Sequence, residues 1–227
     1  MPAAAQPRQL ALALPHAENL SRDDFLEGPG NAAALALVER WPDWPNRVML
    51  LAGPEGGGKS HLGSIWSELA GARVISAQTL TSELVPSALA TGALVVEDID
   101  RDGADERALF HLMNLARQDD AYVLMTSRAA ASTLAIGLPD LMSRLRAMPV
   151  IEVAPPDGAL LRALIVKLCA DRQMLIDESL VSFLVTRIER SFAAARAAVD
   201  LLDREGLRLG RPVTRALAAE LLRQPAP

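Results

Sequence analysis

The stretch Gly53-Pro54-Glu55-Gly56-Gly57-Gly58-Lys59-Ser60-His61 follows directly on the apolar run Val48-Met49-Leu50-Leu51-Ala52. Read as strand, loop and helix start, it matches the phosphate-loop pattern G-x-x-x-x-G-K-[ST], with Gly53, Gly58, Lys59 and Ser60 in the fixed positions. Glycines at 56, 57 and 58 permit backbone torsions that side chains forbid, so successive N–H groups are free to point inward at phosphate oxygens. The helix expected from Lys59 adds its positive dipole end. Lys59 is then placed to reach the outer phosphates, and the Ser60 hydroxyl to hold Mg²⁺. A glycine-rich turn before an ordinary helix is the plainer alternative, and it leaves the four fixed positions unexplained. Nucleotide binding is therefore the premise from which the rest of the chain is read.

With 227 residues the chain has room for one large domain, or for a domain with a smaller appendage. Half of its residues are apolar and its formal charge is −5. That balance argues against strong direct DNA binding, which needs a concentrated basic surface. The single cysteine, Cys169, excludes a disulfide framework and argues against a cysteine-based zinc site, so a reducing, cytoplasmic setting is expected. No uninterrupted apolar window is long enough for a membrane span, and the apolar run Leu10 to Leu14 before Pro15 is too short for a secretion signal.

Residues 1–20 read as a flexible Ala/Pro-rich tail that contains Gln9-Leu10-Ala11-Leu12-Ala13-Leu14. That hexapeptide is either a short edge strand or an extended peptide whose leucines fill pockets on a partner. Residues 21–154 then carry an α/β pattern. Asn31 is a good N-cap for a helix from Ala32 to Arg40, ended by Trp41-Pro42-Asp43-Trp44-Pro45, whose tryptophans read as packing residues. Strands are expected at 48–52, 73–76, 93–96, 122–125 and 150–153, and the segment 78–90 reads as a helix interrupted at Pro86.

The third strand runs straight into Glu97-Asp98-Ile99-Asp100. A buried strand whose carboxyl end meets acids suits a Walker B role, in which Glu97 supports Mg²⁺ on the Ser60 side and Asp98 orients water. Leu109, Leu112, Met113 and Ala116 fall at helical spacing and predict an amphipathic helix over 104–117. Thr126-Ser127-Arg128 ends the fourth strand with polar groups suited either to sensing a γ-phosphate or to forming a plain Ser/Thr turn. Ala154-Pro155-Pro156-Asp157-Gly158 marks a hinge, and residues 155–227 carry only helical periodicity, as a small helical lid would.

This constellation resembles the AAA+ P-loop NTPases: a five-stranded parallel sheet in an α/β core, followed by a small α-helical lid domain. Within them it is similar to the DnaA family, and to its Hda-type regulators of the replication initiator. The carriers are Phe25-Leu26-Glu27-Gly28-Pro29-Gly30-Asn31, Gly58-Lys59-Ser60-His61, Leu138-Pro139-Asp140-Leu141-Met142-Ser143-Arg144-Leu145 and Leu202-Asp203-Arg204. The resemblance implies ADP or ATP with Mg²⁺ as ligands, contacted by Gly28, Asn31, the loop residues through His61, and Thr126. It also implies that Gln9, Leu10, Leu12 and Leu14 form a peptide for the DNA polymerase sliding clamp, and that Arg144 is an arginine finger acting on ATP held by DnaA.

The implied function is negative regulation of replication initiation, with DnaA and the clamp as partners, no membrane, and a homo-oligomer left open. Three departures stand out. Glu97 occupies the position usually held by Asp, the polar strand tip is followed by Arg128 rather than an acid, and the lid arginine position falls at Ala193, with Arg190 and Arg196 three residues to either side on an expected common helix face. The DNA-binding domain found in DnaA has no counterpart in these residues. The alternatives are a self-sufficient AAA+ ATPase and a DNA-binding replication or loading factor.

Overall fold

The computed structural model describes residues 20–222, so the clamp-like peptide Gln9 to Leu14 lies outside the described residues. Contacts divide the described chain into two compact units, 20–160 and 161–222.

In the first unit, α1 (Ala32–Glu39) precedes the fully buried strand β1 (Val48–Ala52), and α2 (Lys59–Ala70) leads to β2 (Arg73–Ser76). The short α3 (Val85–Ala88) follows, then β3 (Ala93–Glu97), α4 (Glu106–Gln118), β4 (Tyr122–Ser127), α5 (Pro139–Ala147) and β5 (Val150–Glu152). The strands form one parallel sheet in the order β2-β3-β4-β1-β5. Every strand therefore points the same way, and every loop that follows a strand emerges at one edge.

Strand periodicity explains the layering. Leu50, Leu94, Val96, Val123 and Met125 face a core shared with Leu109, Leu112 and Leu145 of α4 and α5. Met49, Leu51, Ala93, Val95 and Leu124 face the other way, onto Leu35, Leu62, Ile65 and Trp66 of α1 and α2. Both faces are covered, which is why the central strands read as continuous apolar runs rather than alternating ones. The tryptophans are packing residues, as expected: Trp44 stacks on Trp66 at 4.8 Å and donates its indole N–H to the Leu37 carbonyl at 2.7 Å.

Pro86 does not interrupt a helix. It sits in the first turn of α3, where a missing N–H costs nothing, and the preceding stretch contains only a 3-10 turn over Ala77–Thr79. Asn31 precedes α1 as expected, but its side chain caps no helix amide. Its Oδ1 accepts the Gly28 N–H at 2.8 Å and its Nδ2 donates to the Leu26 carbonyl at 3.0 Å, so the buried amide pins the preceding loop instead.

The second unit is helical: the greater part of α6 (Gly158–Asp171), then α7 (Glu178–Arg187), α8 (Phe192–Leu209) and α9 (Arg215–Leu221). Asp177, Ser191 and Thr214 each accept a backbone N–H from the first turn of the helix they precede, which defines where those helices begin. Arg190 and Arg196 do not share the helix face that their spacing suggested. Ser191 is extended, with φ −142° and ψ 152°, so Arg190 lies outside α8, whereas Arg196 sits within it. Among the described residues no helix is long and apolar enough to cross a membrane.

Candidate functional site

The site gathers where the carboxyl ends of β1, β3 and β4 meet. β1 hands directly into the loop 53–58, whose start is clamped between two neighbouring strands: the Gly53 N–H donates to the Ser127 carbonyl at 3.1 Å, and the Val153 N–H donates to the Ala52 carbonyl at 2.7 Å. A Cβ at residue 53 would stand 2.2 Å from the Val153 carbonyl oxygen, so only glycine fits there. Gly58, with φ 97°, turns the chain into α2 through a left-handed conformation that side chains resist. Gly56 is also left-handed, and Gly57 donates its N–H to the Pro54 carbonyl at 3.1 Å. Ser60 follows Lys59 in the first turn of α2 and is exposed.

Lys59 is buried, and its ammonium donates to the carbonyls of Gly53 at 2.7 Å and Pro54 at 2.9 Å. Burial lowers its pKa below the ordinary lysine value, while the carboxylates of Asp98, Asp100 and Glu55 pull it back up. A desolvated cation folded against its own loop, facing a glycine cradle, is a group arranged to meet an anion. Among the described residues no group of three or more His, Cys, Asp or Glu side chains is suited to hold a metal ion by itself. That donor set fits Mg²⁺ only as the companion of a nucleotide, since this ion keeps much of its shell as phosphate oxygen and water.

The acids at the end of β3 differ sharply in their surroundings. By strand alternation Glu97 shares the face of Ala93 and Val95, the face packed by α2, which begins at Lys59 and Ser60. Asp98 breaks the alternation by adopting φ 57°, which is unfavourable for a residue with a side chain. Its N–H donates to Thr126 Oγ1 at 2.9 Å, the next amide, Ile99, donates to the Thr126 carbonyl at 2.9 Å, and its carboxylate pairs with Arg101 Nε at 2.9 Å. The buried Thr126 hydroxyl thus holds the acidic loop in place. Ser127 is also buried, and its hydroxyl donates to the Ala129 carbonyl.

Arg128 finds its acid in another strand's loop. Asp100 accepts its backbone N–H at 3.2 Å and its Nε–H at 3.0 Å. Arg101 leans from the same loop towards Glu55 of the phosphate loop, 3.9 Å away. None of these links between the tips of β3 and β4 was visible in the sequence, although Arg128 and Asp100 each stand just past the apolar run of a strand.

The remaining nominated residues separate. His61 is buried: its Nε2 lies 2.7 Å from the Ser21 carbonyl, and its ring packs edge-on against Phe25 at 5.0 Å. Gly28 packs close to Leu160, whose Cδ2 would lie 2.8 Å from an added Cβ. Arg190 and Arg196 belong to the helical unit.

Arg144 lies elsewhere in the first unit. It is half-buried on α5, its guanidinium 4.7 Å above the Phe110 ring of α4, and it borders a groove formed with Pro45 to Val48 and Asp120. Those residues lead into β1 and β4, so the groove opens at the amino ends of the strands. The start of α5 is held in turn by Glu106, whose carboxylate accepts the N–H groups of Gly137 at 2.8 Å and Leu138 at 2.7 Å. Neither Phe110 nor Glu106 was singled out by the sequence, since both fall inside an ordinary amphipathic helix.

No protein-family model matches the chain. Among solved structures, domain III of the replication initiation protein DnaA from Thermotoga maritima superposes with a TM-score of 0.73 at 21% identity, over 90% of this chain and 95% of that one. DnaA from Aquifex aeolicus bound to AMPPCP gives 0.65 at 17% identity, over 83% of this chain and 67% of that one. The RuvB Holliday junction branch migration motor of Thermotoga maritima gives 0.71 at 17% identity, over 90% of this chain and 72% of that one. At these identities the likeness is one of fold: the chain has the AAA+ NTPase architecture, in a form similar to DnaA domain III.

Proposed function

We propose that this chain is an Hda-type regulatory inactivator of the replication initiator DnaA. In this reading it binds ADP or ATP, with Mg²⁺, in the loop 53–60, with Glu97 on the metal's side and Asp98 and Thr126 at the terminal phosphate. It docks on the DNA polymerase sliding clamp through Gln9, Leu10, Leu12 and Leu14, and it presents Arg144 to ATP held by DnaA. A planar, permanently charged guanidinium stabilises charge that develops on the transferring phosphoryl group. When bound, the chain's own nucleotide serves as a structural and regulatory ligand, and this chain's residues do the work of gripping and orienting.

The position of Arg144 carries this reading. It sits at the amino ends of the strands, whereas Lys59 and the acids sit at the carboxyl ends, which supports a phosphate held by another protein rather than by this chain. The left-handed turn at Gly58 and the buried Lys59 at the start of α2 support nucleotide binding independently. The test is hydrolysis of DnaA-bound ATP in the presence of clamp loaded on DNA, with wild type, Arg144→Ala and Gln9→Ala/Leu10→Ala. Both variants are expected to lose stimulation, and equal activity of all three overturns the reading.

A self-sufficient ATPase is the second reading, favoured by the Asp98 and Asp100 carboxylates near Lys59 in the chain's own site. It requires steady turnover by the isolated protein, abolished by Lys59→Ala or Glu97→Ala.

A further inference from the structure

The groove that Arg144 borders encloses about 470 Å³ and is also lined by Arg47, Arg117, Met113, Met148 and Asp120. Asp120 is already engaged: Arg47 donates to its carbonyl at 2.7 Å and lies 3.4 Å from its carboxylate, while the Arg47 guanidinium covers the Tyr122 ring at 4.5 Å. Among the described residues neither Arg117 nor Arg144 is paired with a carboxylate, and the Arg144 guanidinium lies over the Phe110 ring. Phe110, Met113 and Arg117 stand at i, i+3 and i+7 on one face of α4. Arg117 therefore lies two turns, about 10 Å, along the helix from the ring that supports Arg144.

The chain as a whole carries a charge of −5, so a concavity bordered by two uncompensated guanidiniums is a local reversal of sign that selects an anion. Met113 and Met148 form part of its walls. Two guanidinium forks bordering one cleft match the several oxygens of a polyphosphate better than a single carboxylate.

We infer that Arg117 is a second phosphate-binding residue of this groove, acting with Arg144 on the triphosphate of a nucleotide held by the partner protein. The inference rests on the reading that Arg144 addresses such a nucleotide. Arg117 grips the triphosphate and holds it in register, and Arg144 meets the charge that develops at the transferring phosphoryl group.

The test uses the full chain with clamp loaded on DNA and DnaA preloaded with either ATP or ADP. Affinity for each form and single-turnover hydrolysis are measured for wild type, Arg117→Ala, Arg117→Lys and Arg144→Ala, with thermal melts as the check on folding. Arg117 is exposed, so its replacement leaves the fold intact. Arg117→Ala is expected to weaken binding to the ATP form by about ten- to a hundred-fold while sparing the ADP form, with Arg117→Lys recovering part of the loss. If Arg117→Ala matches wild type while Arg144→Ala is inactive, the inference fails and the parent reading stands. Equal weakening towards the ATP and ADP forms places Arg117 on a protein carboxylate and overturns the phosphate assignment. If Arg144→Ala is fully active, the parent reading fails and the inference falls with it.

Discussion

Arg144 and Lys59 stand at opposite ends of β1. Lys59 folds its ammonium onto the loop that leaves the carboxyl end of the strand, and Arg144 borders the groove that includes Val48, where the strand begins. Five residues of extended chain span about 16 Å, so the two cations lie too far apart to share one phosphate. In the proposed reading this separation sets a site that would hold a ligand apart from a surface that would present a charge.

Lys59 is expected to make nucleotide binding pH-dependent. Its lowered pKa means that the folded protein releases this proton before the unfolded chain does. From that lowered value up towards 10.5 the unfolded chain binds more protons, so this residue's contribution to stability rises with pH. Affinity for a phosphate moves the opposite way across the same window, because the cation is being lost. Nucleotide titrations as the pH is raised from neutrality towards 10.5 should show weakening for wild type. Lys59→Ala should bind about ten- to a hundred-fold more weakly at neutral pH, on the strength of a charged hydrogen bond, and its profile should be flat. A wild-type affinity that is constant over this range contradicts the assignment.

Gly53→Ala should damage the fold rather than only the ligand site. The new Cβ would meet a backbone carbonyl, that of Val153, at 2.2 Å, and neither strand end is free to yield. Overpacking of this kind costs about 1–3 kcal/mol, which lowers the melting temperature by roughly 2–12 °C in a protein of this size. Calorimetry checks this, and a melting temperature equal to wild type contradicts it.

Thr126→Val keeps the shape of the side chain and removes the acceptor for the Asp98 N–H. The amide is then unpaired while Asp98 must still hold φ 57°. A loss of about 1–3 kcal/mol is expected in denaturant unfolding, and Thr126→Ser should recover most of it. Equal stability of the valine and serine variants would show that the hydroxyl does not support the acidic loop.

Phe110→Leu preserves an apolar side chain on α4 and removes the ring beneath Arg144. A cation–π contact at a partly exposed site contributes about 0.5–1 kcal/mol. Stimulation of hydrolysis by DnaA should therefore fall by about two- to five-fold, with the chain's own nucleotide affinity unchanged. An unchanged rate would mean that Arg144 needs no such platform.

The sheet was legible in the sequence because its central strands are buried on both faces and so appear as apolar runs such as Val48 to Ala52 and Ala93 to Val96. The phosphate loop was legible because its backbone geometry can be met only by particular residues at fixed spacing. Links between elements were not. The Asp100–Arg128 pair joins the tips of two strands, and Glu106 reaches two amides 31 and 32 residues away, so neither leaves a local pattern. Asn31 and Pro86 misled for a related reason. Each has a strong local preference, and side-chain bonding to the preceding loop or helix-start geometry decided between the outcomes that the preference allowed.

The central claim is that Arg144 acts on a nucleotide outside its own chain. The most direct measurement is the single-turnover hydrolysis rate of ATP preloaded on DnaA, with clamp on DNA, in the presence of saturating wild type, Arg144→Lys or Arg144→Ala. Trans-acting arginines contribute about 10³ to 10⁵ in rate where their role is known. Wild type is expected to accelerate hydrolysis, Arg144→Ala to lose the acceleration, and Arg144→Lys to recover little because a point charge lacks the planar fork. Acceleration that survives in Arg144→Ala would contradict the claim.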